Sequence, residues 1–96
     1  MARGKTFKFR LYVAGSAQNS VQARANLDAL CEAHLQGRFD IEVVDVLLKS
    51  KRALADGILM TPTLVKLVPA PVRTIVGTLS ETEPLLRALG LTAAIS

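Results

Sequence analysis

The strongest constraint on the fold lies in the first half of the chain, where two strand-like segments flank one long helical segment. Residues 6–13, Thr-Phe-Lys-Phe-Arg-Leu-Tyr-Val, alternate in polarity. Phe7, Phe9, Leu11 and Val13 fall on one side of an extended chain, and Lys8, Arg10 and Tyr12 on the other. After a loop, Asn19 is placed to cap a helix, with Gln22 completing a capping box. The periodic positions Leu27, Leu30, Cys31, His34 and Leu35 carry that helix to about Gln36, where Gly37 suits a left-handed end. Residues 39–48, Phe-Asp-Ile-Glu-Val-Val-Asp-Val-Leu-Leu, are rich in β-branched side chains and predict a second strand. Strand, long helix and strand in that order form a right-handed βαβ unit with parallel strands.

The second half adds a different pattern. Residues 49–57 predict a short helix ended by Gly57. Residues 63–68 predict a third strand, and Pro69-Ala70-Pro71 a stiff turn. Residues 72–79 are near enough to pair with the third strand as a hairpin. Ser80 and Glu83 form a second capping-box pattern, opening a helix over 81–89 with Pro84 in its first turn. Leu85, Leu86 and Leu89 give that helix an apolar side, and Gly90 ends it. The expected fold is α/β and thioredoxin-like, β-α-β-α-β-β-α, with a mixed sheet. One domain spans 1–96, fraying over 1–5 and 91–96. At 96 residues the chain holds one core. With three Phe, one Tyr and no Trp, that core is largely aliphatic.

Thr61-Pro62-Thr63 leads into the third strand. A proline at this place in a thioredoxin-like fold is usually cis and faces two catalytic cysteines, so Pro62 is expected to be cis. The chain has one cysteine. The loop where a reactive thiolate belongs, residues 14–19, contains no sulfur, and Cys31 falls on the apolar side of the helix. Thiol redox catalysis is therefore not expected. Cys31 and His34 do not make a zinc site by themselves, and neither a metal nor another cofactor is expected. Ser16 could serve as the hydroxyl of a glutathione-transferase-like site, with Ser80 and Glu81 receiving a carboxylate. The chain lacks the second helical domain of such enzymes, which favours a loop serine and a helix cap. Glu42 and Asp45 fall on opposite strand faces and do not form a carboxylate pair. The residues argue for a binding module, not an enzyme.

The formal net charge is +4. Basic residues gather at Arg3, Lys5, Lys8 and Arg10 and again at Lys49, Lys51 and Arg52. They are interrupted by acidic and apolar residues, which favours an acidic protein partner over nucleic acid. Lys8 and Arg10 break the apolar stretch that a signal peptide needs, and no run reaches membrane-spanning length. A cytoplasmic protein with no membrane partner is expected.

Several segments resemble the KaiB family: Arg-Leu-Tyr-Val-Ala-Gly at 10–15, Asn-Ser-Val at 19–21, Val-Val-Asp-Val-Leu-Leu at 43–48, Ile-Leu-Met-Thr-Pro-Thr-Leu at 58–64 and Pro-Ala-Pro-Val-Arg-Thr-Ile-Val-Gly-Thr-Leu-Ser at 69–80. The resemblance covers about residues 6–90. It implies a non-enzymatic regulatory adaptor that binds a KaiC-type ATPase in circadian or related timing, with a KaiA-like protein joining the complex. It also implies two folds. One is thioredoxin-like. The other is a self-associating ground state, dimeric or tetrameric, with a rearranged C-terminal half in the order β-α-β-β-α-α-β. Arg10, Lys66 and Arg73 match basic positions of the family and are the expected partner contacts. Pro62, Pro69 and Pro71 are the expected fold-switch or cis-proline positions.

The chain departs from the family at four places. Ala70 replaces the middle proline of a Pro-Pro-Pro, Thr78 an acidic residue, and Gln22 and Glu42 commonly basic ones. This is the pattern of a divergent member. The capped 80–89 segment and the strand signal at 63–68 agree locally with the thioredoxin-like form, which is the expected one. A stress or signalling adaptor for another partner, such as a histidine kinase, is the alternative. A glutathione-dependent transferase-like module ranks below both.

Overall fold

The computed structural model describes residues 6–91. The first strand, β1, is Phe7–Val13, followed by α1 at Gln18–Leu35 and β2 at Phe39–Asp45. A short α2, Ser50–Ala55, leads to β3 at Thr63–Val68 and β4 at Arg73–Val76, and α3 at Thr82–Leu89 closes the order. The sheet runs β2-β1-β3-β4. β1 and β2 are parallel, while β1 with β3 and β3 with β4 are antiparallel. The α/β, thioredoxin-like, mixed-sheet fold expected from the sequence is the observed one. The fraying expected at 1–5 and 91–96 lies, Leu91 apart, outside the described residues.

The alternation in β1 sorts the two faces of the sheet. Phe7, Phe9, Leu11 and Val13 pack with Ala23, Leu27, Leu30, Cys31 and Leu35 of α1 and Leu85, Leu86 and Leu89 of α3 in the larger core. Tyr12 points the other way, into a smaller cluster with Val44 and with Ala53 of α2. The sheet thus carries α1 and α3 on one face and α2 on the other.

Several boundaries differ from expectation. No side-chain cap is made at α1, whose first flanking residue is Ala17, not Asn19. Ser20 instead accepts the Ala14 N–H at 3.0 Å, so the nearby hydroxyl secures the preceding loop. The left-handed end of α1 is taken first by Gln36, at φ 49°, and then by Gly37. Ser80 does not cap α3 either. Glu81 is the flanking residue, and the Ser80 hydroxyl lies 3.1 Å from that of Thr78. β2 stops at Asp45, three residues early, and β4 stops at Val76 because Gly77 and Leu79 both adopt positive φ. His34, expected on the buried side of α1 with Cys31, is exposed.

Candidate partner-binding surface

Asp45 explains why β2 ends where it does. Its Oδ1 accepts the N–H of Gly15 at 3.0 Å and that of Leu47 at 2.9 Å. Its backbone carbonyl accepts from Leu48 and Lys49. The chain turns sharply, and Leu47 and Leu48 leave the sheet for solvent. Gly15 has φ +55°, and a Cβ there would sit 3.3 Å from Leu47 Cδ1. Glycine permits both the backbone conformation and the close approach.

Polar contacts fix α2 on its inner side. Ala53 packs on Tyr12 and Val44. The Tyr12 hydroxyl donates to Asp56 Oδ2 and accepts from Arg10 at 3.4 Å. Glu42 accepts from Arg10 Nε at 2.8 Å and pairs with Arg52 at 2.9 Å. These two guanidinium groups, Arg52 first, hold the Glu42 carboxyl down at about 2. Burial foremost, and then the bond to Asp56, pushes the Tyr12 hydroxyl above its ordinary value. Arg10 is raised by its bonds to Tyr12 and Glu42.

With its inner side occupied, the crossover from β2 to β3 presents apolar side chains outward. Leu47, Leu48, Leu54, Leu59 and Met60 are all between 62% and 87% exposed. Lys49 and Lys51 are exposed beside them. Scattered exposed leucines are ordinary on a protein surface. Here five large apolar side chains stand exposed within one fourteen-residue crossover, with cations beside them, a concentration that single scattered leucines do not give.

The three cations expected to bind a partner do not come together. Arg10 is half-buried on the α2 face, engaged with Glu42 and Tyr12. Lys66 is 4% exposed on the opposite face, with its Nζ 5.8 Å from the Phe7 ring centroid. Arg73 is the cross-strand neighbour of Lys66 and is exposed. The Thr61–Pro62, Val68–Pro69 and Ala70–Pro71 bonds are all cis. Pro62 is buried, Pro69 half-buried and Pro71 exposed.

The exposure of the crossover leucines is hard to see in the sequence because residues 46–48 read as a continuation of β2. A signal was present: Val46-Leu47-Leu48 abandons the alternation of a half-buried strand. On the opposite face, Cys31 is fully buried, and burial, with smaller contributions from Asp28 and Glu32, pushes its thiol up to about 12. Among the described residues no group of three or more His, Cys, Asp or Glu side chains is arranged to hold a metal ion, and no helix is long and apolar enough to cross a membrane.

The same architecture occurs in the N-terminal domain of Synechococcus elongatus SasA, with a TM-score of 0.66 and 22% identity over all of this chain and 94% of that one. A thioredoxin from Halobacterium salinarum superposes with a TM-score of 0.71 at 18% identity, covering 96% of this chain and 80% of that one. Curated relatives are nearer in sequence. The circadian clock oscillator protein KaiB of a Cyanothece species is 46% identical over 87 residues, 91% of this chain and 83% of that protein. The KaiB of Synechococcus elongatus is 45% identical over 91 residues, 95% of this chain and 89% of that protein. Residues 10–91 match the KaiB domain, a span that runs from the middle of β1 to the end of α3 and takes in the whole crossover. On that match and that identity, the chain belongs to the KaiB family.

Proposed function

We propose that this chain is a non-enzymatic regulatory adaptor that binds a KaiC-type ATPase in circadian or related timing, in the cytoplasm. The observation that carries this reading is the exposed apolar and basic crossover, Leu47–Met60, on a chain whose curated relatives are clock oscillator proteins. Apolar side chains supply the affinity of such a contact, and the cations around them steer encounter and set specificity. In this reading Arg73 makes a separate contact from the other sheet face. Arg10 shapes the α2 side through Glu42 and Tyr12, and Lys66 shapes the opposite side against Phe7. A KaiA-like protein joins the complex. The chain also exchanges with a self-associated dimer or tetramer in the alternative family fold, with Pro62, Pro69 and Pro71 in the segments that rearrange.

The test mixes the purified chain with the KaiC-type ATPase of the same genome and measures mass by light scattering and affinity by interferometry. The expected result is a defined complex, weakened roughly tenfold or more by Leu48→Asp. The absence of a complex with every such ATPase under nucleotide-loaded conditions would overturn the assignment. A concentration series of NMR spectra with mass measurement checks the second fold. A single set of resonances and a monomeric mass throughout would remove self-association and switching from the reading.

A further inference from the structure

β4 is an outer strand of the sheet, so one side of its backbone has no strand neighbour among the described residues. The pairing of Thr63 with Val76 and the 3.0 Å bond from Gly77 N–H to the Pro62 carbonyl fix its phase. Ile75 and Arg73 direct their backbone groups toward β3, and Thr74 and Val76 direct theirs to the open edge. Beside this edge, between β4 and α3, lies an open groove of about 430 Å³. Its walls include Ile75, Val76, Leu79, Pro84, Leu85 and Ala88. Backbone groups awaiting a strand and an apolar groove next to them are the two components of strand addition. The ladder holds the guest, and alternate side chains enter the groove.

The charges specify the guest. Arg73 is two residues before Ile75 and shares its face of the sheet. It is exposed and forms no ion pair among the described residues. Glu81, past the other end of β4, is the charged residue in the groove lining. A strand added antiparallel to β4 brings its C-terminal end to Arg73 and its N-terminal end toward Glu81. We propose that the β4 edge and the β4–α3 groove bind an extended segment of a partner protein, with apolar residues at alternate positions, a basic N-terminal end and an acidic C-terminal end. This surface is separate from the β2–β3 crossover and does not depend on what the crossover binds.

The probe is a blocked heptapeptide, Lys-Val-Thr-Val-Thr-Val-Glu, titrated into the isotope-labelled full chain and followed by amide NMR. Saturable shifts are expected at Thr74, Val76, Leu85 and Ala88. A control peptide with Lys at both ends is expected to bind roughly tenfold more weakly. Arg73→Glu should reverse that preference, so that the control peptide becomes the tighter ligand. Leu48→Asp should leave peptide binding unchanged, which separates this surface from the crossover. Shifts confined to the β2 edge, equal affinity for both peptides, or no saturable shift would each overturn the proposal. So would concentration-dependent broadening at β4 without peptide, because the occupant would then be a second copy of the chain.

Discussion

Tyr12 is almost wholly buried, yet its hydroxyl has two partners: it donates to Asp56 and accepts from Arg10. Tyr12→Phe keeps the packing on Val44 and Ala53 and removes both bonds. A loss of about 1 kcal/mol in a urea melt is expected, the usual net contribution of such a bond. The raised Tyr12 pKa fixes the sign of a pH effect. Its stabilising share is fully present below the unfolded value of 10, and it is lost as pH rises through the higher folded value. Tyrosinate absorbance in native and unfolded protein measures the difference. Glu42 behaves in the opposite sense. Its folded pKa lies at about 2, below the ordinary 4.5, so its contribution is present above the unfolded value and is lost as pH falls from there toward 2. Because its side chain is 47% exposed, water screens the two arginines, and Glu42→Gln should cost about 0.5–1 kcal/mol at pH 7. The gap between wild type and variant should close near pH 2. Melts across pH 2–7 check it, and a gap independent of pH would refute the pairing as its origin.

The elements were largely legible in the sequence because each carried its own period. β1 and β2 alternate, α1 repeats its leucines at helical spacing, and Thr63–Val68 was delimited to the residue. What could not be read was the partner that each small polar side chain would choose. Asn19 and Ser80 have the local chemistry of caps, but neither caps its helix. Nearby Ser20 serves the backbone of residue 14, and Ser80 lies against Thr78, choices that tertiary placement decides. Lys66 is a similar case. Its spacing from Leu64 places both on one strand face, which proves to be the core face. The aliphatic stem follows that surface and leaves the ammonium over Phe7. At the same scale, Asn26 of α1 reaches across the molecule, with Nδ2 donating to the Thr78 carbonyl at 2.8 Å. That bond ties α1 to the segment joining β4 and α3. Asn26→Ala should cost about 1 kcal/mol and leave a carbonyl wanting a donor. Amide exchange should quicken at residues 78–82 while β1 and β2 keep their protection. Uniform quickening across the chain would show a global effect instead.

Across the molecule, the exposed leucines of the crossover stand outside the contacts that hold the fold together. The larger core occupies the α1–α3 face, and the opposite face is closed by α2 through a small apolar cluster and the Arg10, Tyr12, Glu42, Arg52 and Asp56 contacts. The crossover leucines belong to neither core. They were hidden in the sequence because apolar character alone does not distinguish a buried strand from an exposed turn; the Asp45 contacts decide which it is. This separation makes recognition and stability independently testable. Leu48 is 79% exposed and Leu59 is 87% exposed. Replacing either with Asp removes no core contact, so the unfolding free energy should stay within about 0.5 kcal/mol of wild type. The same changes place a carboxylate in the proposed docking surface and should weaken ATPase binding roughly tenfold or more. Lys49→Glu and Lys51→Glu should act differently. Exposed cations govern encounter, so association should slow and its salt dependence should flatten, with a smaller change in dissociation. Chemical denaturation and binding kinetics on one set of variants read both quantities. Leucine variants that unfold the chain would place these side chains in the core. Lysine variants that change only dissociation would make their role one of contact instead of steering.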